Sequence, residues 1–151
     1  MSIHEWDPSA REAILRFMEQ NIPFNKVLGL SVSELREGFC RMEIPFREEL
    51  IGDPFRPALH GGVLSALADT CGGAAVFTLV SPLDKVATID LRVDYLRPGR
   101  LTTVVCEGTA LRVGSRVASV DMRLFHPDAP GDLIATGKGV YHVKRGEPGK
   151  P

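Results

Sequence analysis

The chain has no cysteine pattern that builds a disulfide framework or a metal site. Cys40, Cys71 and Cys106 are odd in number, scattered and without C-x-x-C spacing, so they read as small reduced core residues of a cytoplasmic protein. An excess of one charge is missing too. A net charge of −1 over 151 residues gives no attraction for nucleic acid or an anionic membrane. Nor is there an unbroken hydrophobic run: the longest, Val63 to Val80, is interrupted by Asp69 and two glycines, and the first residues lack a basic stretch leading into an apolar one. Neither a membrane span nor a secretion signal is expected. Internal repeats and low-complexity linkers are absent. A chain of this length buries about 70% of its unfolded surface, so one domain over residues 1–151 is expected, needing no metal.

What is present reads as alternating elements. Asp7 before Pro8 is a helix start, and Ala10, Ala13, Ile14, Phe17 and Met18 supply one apolar face, predicting a helix that ends near Asn21 and is stopped by Pro23. Residues 1–24 thus form a helical extension. Two strands follow, the second over Cys40–Phe46 with Cys40, Met42, Ile44 and Phe46 on one side. "EELIGDPFRPA" reads as a loop. After the segment 57–77, Ala87 to Tyr95 alternates strictly, placing Ala87, Ile89, Leu91, Val93 and Tyr95 inward and Thr88, Asp90, Arg92 and Asp94 outward. Three more strands, 101–113, 116–125 and 133–143, sit at hairpin spacing, and residues 144–151 are expected to fray. The layout is α+β, with an antiparallel sheet of six strands and one long helix. About 18 helical residues span roughly 27 Å, enough to lie across such a sheet.

That helix, "PALHGGVLSALADTCGGAAVF", holds four glycines, although each interior glycine costs about 1 kcal/mol against alanine. On a helical wheel Gly62, Ser65, Ala66, Asp69, Gly72 and Gly73 share one stripe, while Val63, Leu64, Leu67, Cys71, Ala74 and Ala75 share the other. The large face is core. Small residues on the other suit close approach of a backbone or ligand. Asp69 is the stripe's only ionisable group and lies too far in to be a cap. As a lone carboxylate without the Lys, Glu and Arg of a solvated face, it reads as a general base or nucleophile. His60 reads either as an N-cap or core imidazole or as a group acting on substrate; no second His or Cys has metal-ligand spacing with it. Gly61 and Gly62 occupy the first turn, where free amides and the helix dipole suit an oxyanion, or simply a tight turn.

The string "LHGGVLSALADT", followed 19 residues after Asp69 by "TIDLRVDYLRP", resembles the hotdog-fold acyl-CoA thioesterases of the PaaI, or phenylacetyl-CoA thioesterase, type. The resemblance covers roughly residues 25–143. It implies a sheet curled around one central helix, hydrolysis of acyl-CoA to free acid and CoA, and a homodimer or tetramer with active sites between subunits. CoA would be part of the substrate, with no separate cofactor. It also implies roles: Gly61 donating its amide to the thioester oxygen, His60 placing that carbonyl, Asp69 of the neighbouring subunit activating water or attacking directly, and Thr88 positioning the water.

Gly62, Ser65 and Asp53 fall where substrate would bind. Many members carry Asn six residues before the His, whereas this chain has Pro54 there, with Asp53 beside it; an ionised aspartate cannot donate a hydrogen bond. Arg92, Arg97, Arg100, Arg112 and Arg116 cluster where this fold receives the CoA nucleotide, and Arg92 and Arg116 are taken as its contacts, although each singly also suits a solvated sheet face. Two other activities fit the same fold: dehydration of hydroxyacyl thioesters, which typically uses a helix glutamate this helix lacks, and a non-catalytic acyl-CoA-binding dimer.

Overall fold

Asp7 opens the first helix as its sequence implies, its carboxylate accepting the Ser9 amide at 2.9 Å with Pro8 at the first helical position. The computed structural model describes residues 7–147 and residue 149. Helix α1 (Pro8–Arg16) passes into a wider π turn, Phe17–Asn21. Pro23 then starts a second helix, α2 (Pro23–Leu28), rather than only ending the first. Ile22 takes the extended conformation required before proline, and Pro23 occupies the position whose missing N–H costs a helix nothing. Gly29 closes α2 in the left-handed region at φ 68°.

Strands β1 (Ser31–Arg36) and β2 (Phe39–Ile44) come next. The stretch read as a loop holds two short strands, β3 (Ile51–Asp53) and β4 (Ala58–Leu59), which pair with each other. They lead into α3 (Gly61–Phe77). Beyond it lie β5 (Lys85–Tyr95), β6 (Val104–Val113), β7 (Val117–Phe125) and β8 (Ala135–Lys144). The main sheet is antiparallel, in the order β1-β2-β6-β7-β8-β5. Helix α3 packs on β2, β5, β6, β7 and β8, which is the hotdog arrangement. Cys40, Met42 and Ile44 of β2 and Cys106 of β6 are buried with Leu64, Leu67, Cys71 and Ala75 of the helix. All three thiols are free and buried, and Cys71 donates to the Cys40 and Cys106 carbonyls at 3.2 and 3.4 Å.

Two faces differ from their sequence pattern. In β5 a bulge falls between Thr88 and Asp90: Thr88 pairs with Tyr141 and Asp90 with Val140. Ile89 is the extra residue and is 58% exposed. Thr88 therefore shares the helix-facing side with Leu91 and Val93, whereas Ala87 and Ile89 do not point inward as strict alternation implied. On α3, Gly72 is buried rather than part of an open stripe with Asp69. A Cβ there would collide with the Tyr141 hydroxyl and lie 3.0 Å from Met122 Sδ. This close approach is what the helix gains by keeping that glycine.

Gly72→Ala is accordingly expected to destabilise the fold by about 1–3 kcal/mol in denaturant titration. Overpacking costs about 1–3 kcal/mol, and displacing Tyr141 loses its hydrogen bond, worth about 1 kcal/mol. The better helix propensity of alanine offsets about 1 kcal/mol.

At the other end the chain is held past Lys144 rather than fraying there. Asp84 is buried beneath Arg145 and Gly146, accepting from Arg145 at 2.7 Å and the Gly146 amide at 2.9 Å, while Arg145 also donates to the Gly114 and Ser115 carbonyls. Burial alone would raise the Asp84 carboxyl, but the Gly146 amide, Arg145 and the Ser81 amide outweigh it and hold the group below the usual carboxylate range. The remainder of the expected frayed tail, apart from Glu147 and Gly149, lies outside the described residues.

Candidate active site

The start of α3 presents one open amide. His60 is the N-cap, extended at φ −62° and ψ 131°, and its Nδ1 accepts the Gly62 amide at 2.8 Å. Accepting there puts the ring proton on Nε2. Val63 N donates to the His60 carbonyl at 3.0 Å. The Gly61 N–H, by contrast, has no protein acceptor among the described residues. Gly62 is thus committed to the cap, and Gly61 is the amide left to meet a ligand.

Tyr95, from the last position of β5, lies over this turn. Its hydroxyl is 3.1 Å from the Gly61 carbonyl, Ser65 Oγ is 3.2 Å from the same oxygen, and the two hydroxyls touch. Ser65 therefore fixes the turn instead of standing free. A side chain on Gly61 would meet the Tyr95 ring, with a Cβ only 3.2 Å from its Cε1. Tyr95 was read from sequence as an inward strand residue and not as part of the site; its place at the Y-x-x-P corner was the available signal. A hollow of about 390 Å³ opens here between Leu59, Gly61, Leu64, Tyr95 and Pro98.

Two turns further along α3, Asp69 is half-buried, not in bulk water. Thr88 donates to its Oδ1 at 2.7 Å. That contact exists because the bulge turns Thr88 toward the helix. Asp69 Oδ2 has no protein partner among the described residues. Beneath it the Tyr141 hydroxyl donates to the Asp69 carbonyl at 2.9 Å. Burial pushes the Tyr141 phenol well above its ordinary range, and the Asp69 charge adds to the effect. No local pattern in the sequence marks Tyr141 itself. The alternating glycines Gly137 and Gly139 on β8 hinted that something large fills that face, and a Cβ on Gly139 would lie 2.6 Å from Tyr141 Cε2. A second cavity, about 330 Å³, opens beside Asp69 and Thr88 with walls that include Phe17, Ile22, Phe24, Phe77 and Val86.

Gly61 and Asp69 are eight residues apart on one helix, about 12 Å along its axis. One copy of the chain therefore does not bring them together. Asp53, the polar residue beside the position where many members carry asparagine, accepts the Phe55 and Arg56 amides at 2.9 and 3.0 Å within its own turn. Those amides, Arg56 first, hold its carboxyl below the usual range. Of the arginines, Arg92 pairs with Asp94 at 3.1 Å on the outer face of β5, Arg97 with Asp132 at 3.9 Å and Arg100 with Asp128 at 2.5 Å. Arg112 and Arg116 have no carboxylate partner among the described residues, and both flank the β6–β7 turn. Among those residues no three His, Cys, Asp or Glu side chains gather as a metal site, and no helix is long and apolar enough to cross a membrane.

A sheet rolled around a single helix, with an open amide at the start of that helix and a threonine-bound carboxylate on its flank, marks this as a hotdog-fold protein. The model of the family described as the thioesterase superfamily matches residues 57–130, from the approach to α3 through β7. The chain belongs to that superfamily and is a thioester hydrolase. It is 31% identical over 82% of its length to the medium/long-chain acyl-CoA thioesterase YigI of Salmonella typhimurium, covering 86% of that protein. A solved protein from Shewanella oneidensis, related to the thioesterase superfamily, is 31% identical with a TM-score of 0.79 over 91% of this chain and 99% of its own. The PaaI protein of the E. coli phenylacetic acid degradation operon shares the fold, with a TM-score of 0.80 over 91% of this chain and 96% of its own at 21% identity.

Proposed function

We propose that the protein hydrolyses medium- and long-chain acyl-CoA to free acid and CoA at a site assembled from two copies of the chain. The observation that carries this reading is the Asp69–Thr88 pair: one carboxylate oxygen is held by the threonine, the other has no partner among the described residues, and the residue lines a largely apolar cavity. In the proposed reaction Asp69 Oδ2 takes a proton from water as the water oxygen attacks the thioester carbon. The oxygen that gains charge is held by the Gly61 amide of the second copy, whose His60 Nε2–H orients the carbonyl. Collapse expels the CoA sulfur, and the proton passes from Asp69 to it. Water, acyl-CoA, acid and thiol balance, and no serine or cysteine nucleophile is involved. Direct attack by Asp69, followed by hydrolysis of the resulting anhydride, gives the same products.

Two chains are invoked because about 12 Å separates the two groups within one. The free side of β5 offers the seam. Among the described residues this strand pairs only with β8; it exposes Ile89 and Tyr95, and Leu96 just past its end is exposed too, and an unpaired apolar edge invites a second copy. The proposed assembly is a homodimer, or a tetramer made of two, and its proposed place of work is the cytoplasm. Of the arginine cluster, Arg112 and Arg116, which have no carboxylate partner among the described residues, are the cations proposed to meet CoA phosphates. The acyl class rests on the name of the Salmonella relative and on the apolar cavity.

A thiol-release assay over a panel of aryl and aliphatic acyl-CoAs tests the reading. Turnover is expected to rise from acetyl-CoA toward medium and long chains, and a panel with no thiol release overturns it.

A further inference from the structure

The helices preceding the sheet have no part in the reaction above, yet they close the cavity beside Asp69. Asp69 and Thr88 sit on one side of this hollow; Phe17 from the π turn and Phe24 from the first turn of α2 line it as well. Both rings are well exposed, Phe17 at 45% and Phe24 at 58%. Phe17 rests edge-on against Phe77 of α3, with centroids 6.0 Å apart. Rings so placed add little to the core.

The backbone that carries them is fixed without them. Buried Asn25 donates to the Met18 carbonyl at 2.9 Å, Glu19 accepts the Val32 amide at 2.7 Å, and Arg47 donates to the Val27 carbonyl. The π turn is thus tied to β1 and α2 by polar contacts, leaving its neighbouring aromatics to face the cavity. At about 330 Å³ the hollow lies near the small end of ligand pockets. Its largely apolar lining suits an alkyl tail.

Resting on the hydrolase reading above, we propose that Phe17 and Phe24 form an acyl-selectivity wall, receiving the alkyl chain of a thioester whose carbonyl lies at Asp69. The phenyl rings bury methylene groups that would otherwise meet water, so affinity rises with chain length until the hollow is full. Short acyl groups do not reach the rings.

Two thioether analogues, S-ethyl-CoA and S-decyl-CoA, test this because neither has a hydrolysable bond, so binding is read apart from turnover. Calorimetric titration of the wild type is expected to show at least tenfold tighter binding of the decyl compound. Phe24→Ala should weaken S-decyl-CoA about tenfold while leaving S-ethyl-CoA within about twofold. Phe17→Ala should act in the same direction, and Phe24→Leu should recover most of the loss. Equal losses for both thioethers, unchanged decyl binding in both alanine variants, or no binding of either compound overturns the wall. Chain-length-dependent thioether binding with no thiol release from decanoyl-CoA would instead remove the hydrolase reading and leave the wall standing.

Discussion

Asp69→Asn is expected to lower kcat by about 10²-fold or more, with the melting temperature nearly unchanged. Asparagine has the same shape, and its carbonyl oxygen still accepts from Thr88 Oγ1, now 2.7 Å from Oδ1. The helix beneath is still held by Tyr141 through the backbone carbonyl of residue 69. What the amide cannot do is take a proton from water. The loss therefore falls on turnover and not on folding, and KM for a saturating acyl-CoA stays close to wild type. Stopped-flow or continuous thiol detection on purified variant, beside a thermal melt, separates the two quantities. Equal turnover in wild type and variant would sink Asp69 as the base.

Gly61→Pro is expected to be comparably inactive, losing about 10²–10³ in kcat with the first-turn amide of α3 that has no acceptor among the described residues. Proline suits the first helical position, and His60 already has the extended backbone a following proline requires. The substitution thus removes the donor at little cost to the helix, although the Tyr95 ring must give slightly, since a Cβ there lies 3.2 Å from its Cε1. Mixing this variant with Asp69→Ala under conditions of subunit exchange makes the decisive measurement. In a mixed dimer one site combines Gly61 of one chain with Asp69 of the other, and the second site lacks both. Half the dimers are mixed and each has one intact site of two, so about a quarter of wild-type activity should return. Activity that stays at the level of the separate variants would mean that amide and acid act within one chain, or not at all.

The helix 61–77 and the six long strands were legible because their periods, near 3.6 and 2, are imposed by one shared core. The candidate site stands out in the sequence through residues of unexpected type: glycines and a lone acid in a core helix. Three things were hidden. The bulge at Ile89 leaves no trace in a run that alternates perfectly, since the parity break is set by pairing with β8 and not by residue type. Pro23 marks a helix end and a helix start with equal force, and only the fold around Asn25 decides. The short β3–β4 pair sits in a stretch whose glycine and prolines read as loop, yet Gly52 is pressed against the backbone of His60, where a Cβ would lie 2.5 Å from its Cα. That contact involves residues eight apart, and no local pattern reports it.

The additional residue at Ile89 shifts the strand by half a pleat, and two duties then coexist on one ribbon. Without it, either the threonine or the Leu91–Val93 pair would turn toward water, so the chain would surrender the Thr88–Asp69 contact or part of its packing. Shortening this stretch by one amino acid is therefore a harsher change than any single replacement within it, because it reverses the orientation of everything on one side of the cut.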